Sequence, residues 1–187
     1  MASKESFQTF KHSDKETDTF LKDVKEMNVD SSYYLTLLAG ANNSAKDAFF
    51  KKVKQTFGDE LEVVDLRTVI SDIEEDSYEK IDEMISFLAD KKYVWLNHGD
   101  ELDGVYTGFS SSVRRYATPQ EKYLLRKITS TEKVYFISLE DRHAVTNFMR
   151  RHAQALITFE YPSTFLGKLK QITLNGSSFS SSRQAVS

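Results

Sequence analysis

Short apolar runs and amphipathic segments alternate along this chain, and that alternation is its strongest constraint. Residues 33–39, Tyr-Tyr-Leu-Thr-Leu-Leu-Ala, are largely apolar and end at Gly40, as a buried strand does. Residues 45–57 follow with Phe49, Phe50, Val53 and Phe57 on one helical face, and Gly58-Asp59 stops them. Residues 61–66 read as a second strand. Residues 77–91 place Ile81, Met84, Ile85 and Leu88 at i, i+3, i+4 and i+7, which predicts an amphipathic helix. Further strands are expected at 93–96, 134–139 and 156–161, the last closed by Pro162 with a short helix after it. Further helices are expected at 15–27, 119–128 and 141–152, Pro119 standing in a first turn where its missing N–H costs nothing. Residues 98–118 read as a loop. Strands alternating with helices predict parallel pairing through right-handed crossovers. The expected fold class is α/β, a three-layer sandwich around a mainly parallel five-stranded sheet.

The 187 residues, 40% of them apolar, suffice for one buried core. Residues 1–14 are polar and are expected to be a flexible segment, 15–172 the α/β domain, and 173–187 a flexible Ser-rich tail. The net charge is −3, which offers no basic excess for neutralising phosphates and argues against a nucleic-acid partner. The absence of cysteine excludes disulfides, thiolate zinc sites and cysteine-held iron–sulfur clusters. The N-terminus lacks the apolar core of a signal peptide, and no run approaches the ~20 apolar residues that span a bilayer. These features predict a cytoplasmic protein.

Ligands of open α/β sheets sit at the carboxyl ends of strands. The first such loop here is residues 40–47, Gly-Ala-Asn-Asn-Ser-Ala-Lys-Asp. Against the phosphate-binding pattern G-x-x-x-x-G-K-[ST], Gly40 and Lys46 match in type and spacing. Ala45 stands where the second glycine belongs and Asp47 where the hydroxyl belongs. Alanine is tolerated there only at negative φ. A carboxylate at 47 repels phosphate but still offers a metal ligand. The alternative is an ordinary strand-to-helix turn, with Lys46 paired to Asp47.

Later elements extend the match. Tyr93-Val94-Trp95-Leu96 leads into Asn97-His98-Gly99-Asp100, and Val134-Tyr135-Phe136-Ile137-Ser138 precedes Asp141. Arg150-Arg151-His152 stands ten residues before Pro162. From roughly residue 15 to 170 the chain resembles the large α/β subdomain of AAA-type P-loop ATPases. The resemblance implies a P-loop NTPase-like fold and, where the site is intact, ATP or ADP with Mg²⁺. It aligns Gly40, Asn43, Lys46 and Asp47 with the nucleotide loop (Walker A). Asn97 and His98 align with the acidic pair (Walker B), and Asp100 with a further acidic position. Asp141 takes the place of the polar sensor, usually asparagine, and Arg151 that of the arginine finger that reaches a neighbouring subunit. The departures fall on the chemistry. Asn97 supplies no carboxylate for Mg²⁺, His98 replaces the water-polarising glutamate, and the Walker A hydroxyl is gone. The family's helical lid has no counterpart after residue 170.

Elsewhere, His12, His98, His143 and His152 form no i, i+4 ligand pair, and no metal site is expected. Ser110-Ser111-Ser112 lacks a nucleophile-elbow pattern. The acidic run 72–76 suits a helix N-terminus. The expected function is therefore a non-catalytic AAA-like domain with protein partners, self-associating, in a larger assembly. The alternative is a nucleotide-binding switch or weak ATPase that holds ATP or ADP through residues 40–47.

Overall fold

The computed structural model describes residues 7–12, 14–27, 32–104 and 116–161. In chain order these form β1 (Gln8–Lys11), α1 (Asp14–Glu26), β2 (Tyr34–Ala39), α2 (Asn43–Phe57), β3 (Leu61–Asp65), α3 (Glu74–Phe87), β4 (Tyr93–Asn97), β5 (Asp103–Gly104), β6 (Tyr116–Ala117), α4 (Pro119–Thr129), β7 (Val134–Leu139), α5 (Asn147–His152) and β8 (Ala155–Thr158). Single 3₁₀ turns occupy Gly58–Glu60, Leu66–Thr68, Gly99–Leu102 and Arg142–Ala144.

The main sheet has six strands in the order β1-β8-β2-β7-β4-β3, and every pairing in it is parallel. β5 and β6 form a separate antiparallel pair. β2 and β7 lie at the centre and are buried at every position. Helices cover both faces of such a sheet, so its central strands read as unbroken apolar runs. One face packs Phe20, Leu21 and Val24 of α1 and Phe49, Val53 and Phe57 of α2 against Tyr34, Leu38, Trp95, Phe136 and Ile157. The other packs α3, α4 and α5 through Ile81, Met84, Leu88, Leu124, Leu125, Ile128 and Met149 against Leu35, Leu37, Val94, Leu96, Tyr135 and Ile137. Each fully buried side chain of this size contributes roughly 1.5–3 kcal/mol. These two clusters hold the three layers together.

The structure corrects the sequence reading at several places. The sheet has six strands rather than five, because part of the segment read as flexible, residues 1–14, is the edge strand β1. Only Phe10 of that strand turns inward, onto Phe20 at 5.4 Å between ring centroids, so no apolar run announces it. α2 begins at Asn43, not at residue 45. α3 begins at Glu74, its first turn holding Glu74, Glu75 and Asp76, where carboxylates meet the positive end of the helix dipole. It ends at Phe87 rather than at 91. The helix expected over 141–152 is a 3₁₀ turn followed by the shorter α5, whose N-cap Thr146 accepts from Met149 N. The loop expected over 98–118 includes a 3₁₀ turn, β5 and β6. The expected tail 173–187, the helix after Pro162 and Ser110-Ser111-Ser112 lie outside the described residues.

Candidate functional site at the carboxyl edge of the sheet

β3, β4 and β7 lie to one side of β2, while β8 and β1 lie to the other. The winding direction reverses at β2, and such a switch point opens a crevice beyond the carboxyl ends of the strands. A cleft of ≈ 380 Å³ lies there. α2 lends Asn43, Lys46, Asp47 and Phe50 to it, β3 Val63, β4 Trp95 and Asn97 with His98 beyond them, and β7 Ser138 with Glu140 beyond it.

The turn between β2 and α2 is short and tied down. Gly40 has φ +139°, a conformation side chains rarely adopt, and a Cβ there would stand 2.2 Å from the carbonyl oxygen of Phe159. This close approach joins the ends of two neighbouring strands: Phe159 N donates to Ala39 O at 2.8 Å and Asn42 N to Phe159 O at 3.2 Å. Asn42 is the N-cap of α2. Its Oδ1 accepts from Ala45 N at 3.2 Å, and its Nδ2 donates to Glu160 O at 3.3 Å. Asn43 N donates to Ala41 O at 3.0 Å and Lys46 N to Asn42 O at 3.1 Å. A phosphate at a helix N-terminus is held by backbone N–H groups that lack an internal acceptor. Here Asn43, Ala45 and Lys46 have already given theirs to the chain.

Lys46 lies 7% exposed, and its Nζ donates to the carbonyl of Leu139, at the end of β7, at 3.1 Å. Burial lowers its pKa, against the opposing fields of Asp100, Glu140 and Asp47. The pairing of Lys46 with Asp47 that the sequence allowed is therefore replaced by a bond to backbone. Asp47 is exposed, and its carboxylate makes no hydrogen bond or ion pair among the described residues.

Asn97 ends β4, and its register partner on β3 is Asp65. His98 follows at φ 55°, ψ 48°, in the left-handed region, and caps the turn Gly99–Leu102. A non-glycine residue there costs about 1–2 kcal/mol. His98→Gly is expected to raise stability by roughly 0.5–1 kcal/mol, glycine's chain entropy taking back part of the gain, while His98→Val lowers it by more than about 1 kcal/mol. Urea unfolding of the two variants checks this, and a more stable valine variant would contradict it. Asp100 stands beside the cleft with its carboxylate turned onto backbone: Glu140 N donates to one oxygen at 2.6 Å and Asp141 N to the other at 3.5 Å.

The structure thus brings Asn43, Lys46, Asp47, Asn97 and His98 into one cleft. It places the remaining sequence candidates elsewhere. Gly40 sits beneath, in the turn. Asp141 is exposed and caps the turn Arg142–Ala144, accepting from His143 N at 2.9 Å. Arg151 is exposed in the last turn of α5, on the opposite helical layer from α2. Ser138 and Glu140 line the cleft and were missed. Their signal was the period of two along β7, where Val134 and Phe136 already face α2. Among the described residues no group of three His, Asp or Glu is placed to hold a metal ion.

The donor set does not fit a nucleotide with Mg²⁺. The amides of Asn43, Ala45 and Lys46 are bonded within the chain, the lysine is held by a carbonyl, and neither Asn97 nor His98 carries a carboxylate. No family model and no curated protein matches the chain. Among solved structures its fold is similar to that of a chain in the E. coli MS115-1 HORMA:CdnC:Trip13 complex, with a TM-score of 0.56 and 12% identity over 80% of this chain. This chain spans 63% of the length of that one. The likeness is one of fold: an open, parallel sheet with helices on both faces.

Proposed function

We propose that this chain is a non-catalytic AAA-like domain that serves as a structural or assembly module in a protein complex. One observation carries the reading. α2 starts at Asn43, the amides of Asn43, Ala45 and Lys46 are bonded within the chain, and Lys46 Nζ is drawn onto Leu139 O. Phosphoryl transfer depends on positioning and on metal-borne charge stabilisation. Asn97 and His98 supply no carboxylate toward a metal. The rest of the fold keeps both layers and their packing, which is what a scaffold requires. The similar chain belongs to a complex of several proteins, and the proposal extends that setting to this one. Partners are proteins, further copies of this chain among them. No helix among the described residues is long and apolar enough to cross a membrane.

ATP turnover with Mg²⁺ is expected to equal a protein-free blank and to be unchanged in Lys46→Ala. Turnover above the blank that Lys46→Ala abolishes would refute the proposal. Saturable ATP or ADP binding without turnover, lost in the same variant, would favour a nucleotide-binding switch instead.

A further inference from the structure

The charges around the cleft have the wrong sign for a phosphate. Asp47 and Glu140 are exposed at its rim, and neither carboxylate makes a hydrogen bond or ion pair among the described residues. Both raise the proton affinity of Lys46, as does Asp100. Among the described residues these acids face the Lys46 ammonium, buried and already bonded to Leu139 O, and, toward Glu140, the Arg67 guanidinium, which is forked onto Asp65. Asp100 is also taken, by the amides of Glu140 and Asp141. What remains available at the rim is therefore two carboxylates.

The inner wall is aromatic. Phe50 and Trp95 lie 4.7 Å apart between ring centroids and both line the cleft. Ser138 also lines it, at 8% exposure, and its hydroxyl makes no hydrogen bond among the described residues. Two rim carboxylates, an aromatic face and a spare hydroxyl together match a planar, multidentate cation. A guanidinium meets all three, because it forks onto carboxylates, stacks on rings and donates in several directions. An ammonium meets the charge but not the plane.

We propose that this cleft receives the side chain of an arginine from a partner protein, in the place where the related fold would hold a nucleotide. The inference rests on the reading of the chain as a protein-binding module. Charge complementarity selects the occupant, and the half-enclosed cleft reduces the screening that makes exposed ion pairs weak.

Trp95 is the sole tryptophan of the chain, so its fluorescence reports on the cleft directly. The test titrates the full chain with the peptide acetyl-Gly-Arg-Gly-amide. The same peptide with neutral citrulline in place of arginine is a control, and ATP with Mg²⁺ is run in parallel. A saturable change with the arginine peptide is expected, weaker by at least about tenfold with citrulline. The double variant Asp47→Asn, Glu140→Gln is expected to bind the arginine peptide about tenfold or more weakly while keeping its unfolding midpoint, since both side chains are exposed. A single variant, Ser138→Ala, is expected to weaken it a few-fold. Absence of a saturable response to arginine overturns the inference, as does a response that citrulline or the double variant retains. A saturable response to ATP that Lys46→Ala removes speaks against the protein-module reading itself, so the two failures are distinguishable.

Discussion

Gly40→Ala is expected to lower the stability of the chain by about 3 kcal/mol or more, with a unit drop in signal at a much lower urea concentration. Two effects add. The φ of +139° lies where an L side chain is strained, and the new Cβ would meet the Phe159 carbonyl oxygen at 2.2 Å and its carbon at 2.8 Å. That neighbour is backbone, and it is fixed twice: Phe159 N is bonded to Ala39 O, and Phe159 O accepts from Asn42 N. Relief would mean parting β2 from β8. Gly58 supplies the control. It too has a positive φ, 55°, but a Cβ there meets nothing within 4 Å. Gly58→Ala carries backbone strain without the clash and is expected to cost less, about 1–3 kcal/mol. Equal losses in the two variants would show that Gly40 is not held by strand packing. The comparison therefore separates a glycine held by the packing of two strand ends from one kept only for its backbone conformation.

Glu121→Gln is expected to stabilise the protein at alkaline pH and to do almost nothing in acid. Glu121 lies in the first turn of α4 and is fully buried. Its Oε1 accepts from the Thr146 hydroxyl, while its Oε2 has no hydrogen-bond partner. Burial raises its pKa from 4.5 to about 7, the Thr146 bond opposing and Asp103 adding to the rise. Below pH 4.5 the carboxyl is protonated in both folded and unfolded chains, so it contributes no difference. As the pH rises toward 7 the unfolded chain gives up the proton first, and stability falls. Above the folded value the loss is complete, on the order of 3 kcal/mol. Glutamine keeps the acceptor for Thr146 and carries no charge to bury. The gain over the native chain should therefore reach about 2–3 kcal/mol at pH 8 and vanish near pH 4. Urea unfolding at the two pH values measures it. A gain of the same size at both would mean that ionisation of Glu121 is not its source.

Much of the fold was legible because burial on both faces leaves a plain mark. β2, β4, β7 and β8 appear as apolar runs, and α3 as a clean helical period, so the alternation and the parallel sheet followed. β1 left no such mark. An edge strand with one inward side chain looks like polar coil until β8 is there to pair with it. The start of α2 was misplaced by two residues because 40–47 was matched to a loop pattern, although Asn42 is a strong N-cap residue in its own right.

The candidate site was half legible. The loop pattern pointed to Lys46 and Asp47, and the resemblance to P-loop ATPases to Asn97 and His98; all four lie at or just beyond strand ends, which come together wherever parallel strands line up. Counting onward from β7 to Asp141 overshot the sheet. The side chains that reach the cleft are Ser138 and Glu140, set by the two-residue pleat, while Asp141 caps the turn beyond.

By itself, the sequence determined the order of the elements, which faces are apolar and which residue types stand at the strand ends, because periodicity and composition are local properties. Only the tertiary structure decided where the donors of that edge are spent. Whether an amide N–H waits for a phosphate or is already bonded to Asn42, and whether Lys46 reaches outward or back to Leu139, depends on how β8, β7 and the turn at Gly40 pack in space. A hydrogen bond between residues 93 positions apart leaves no trace in the chain that makes it.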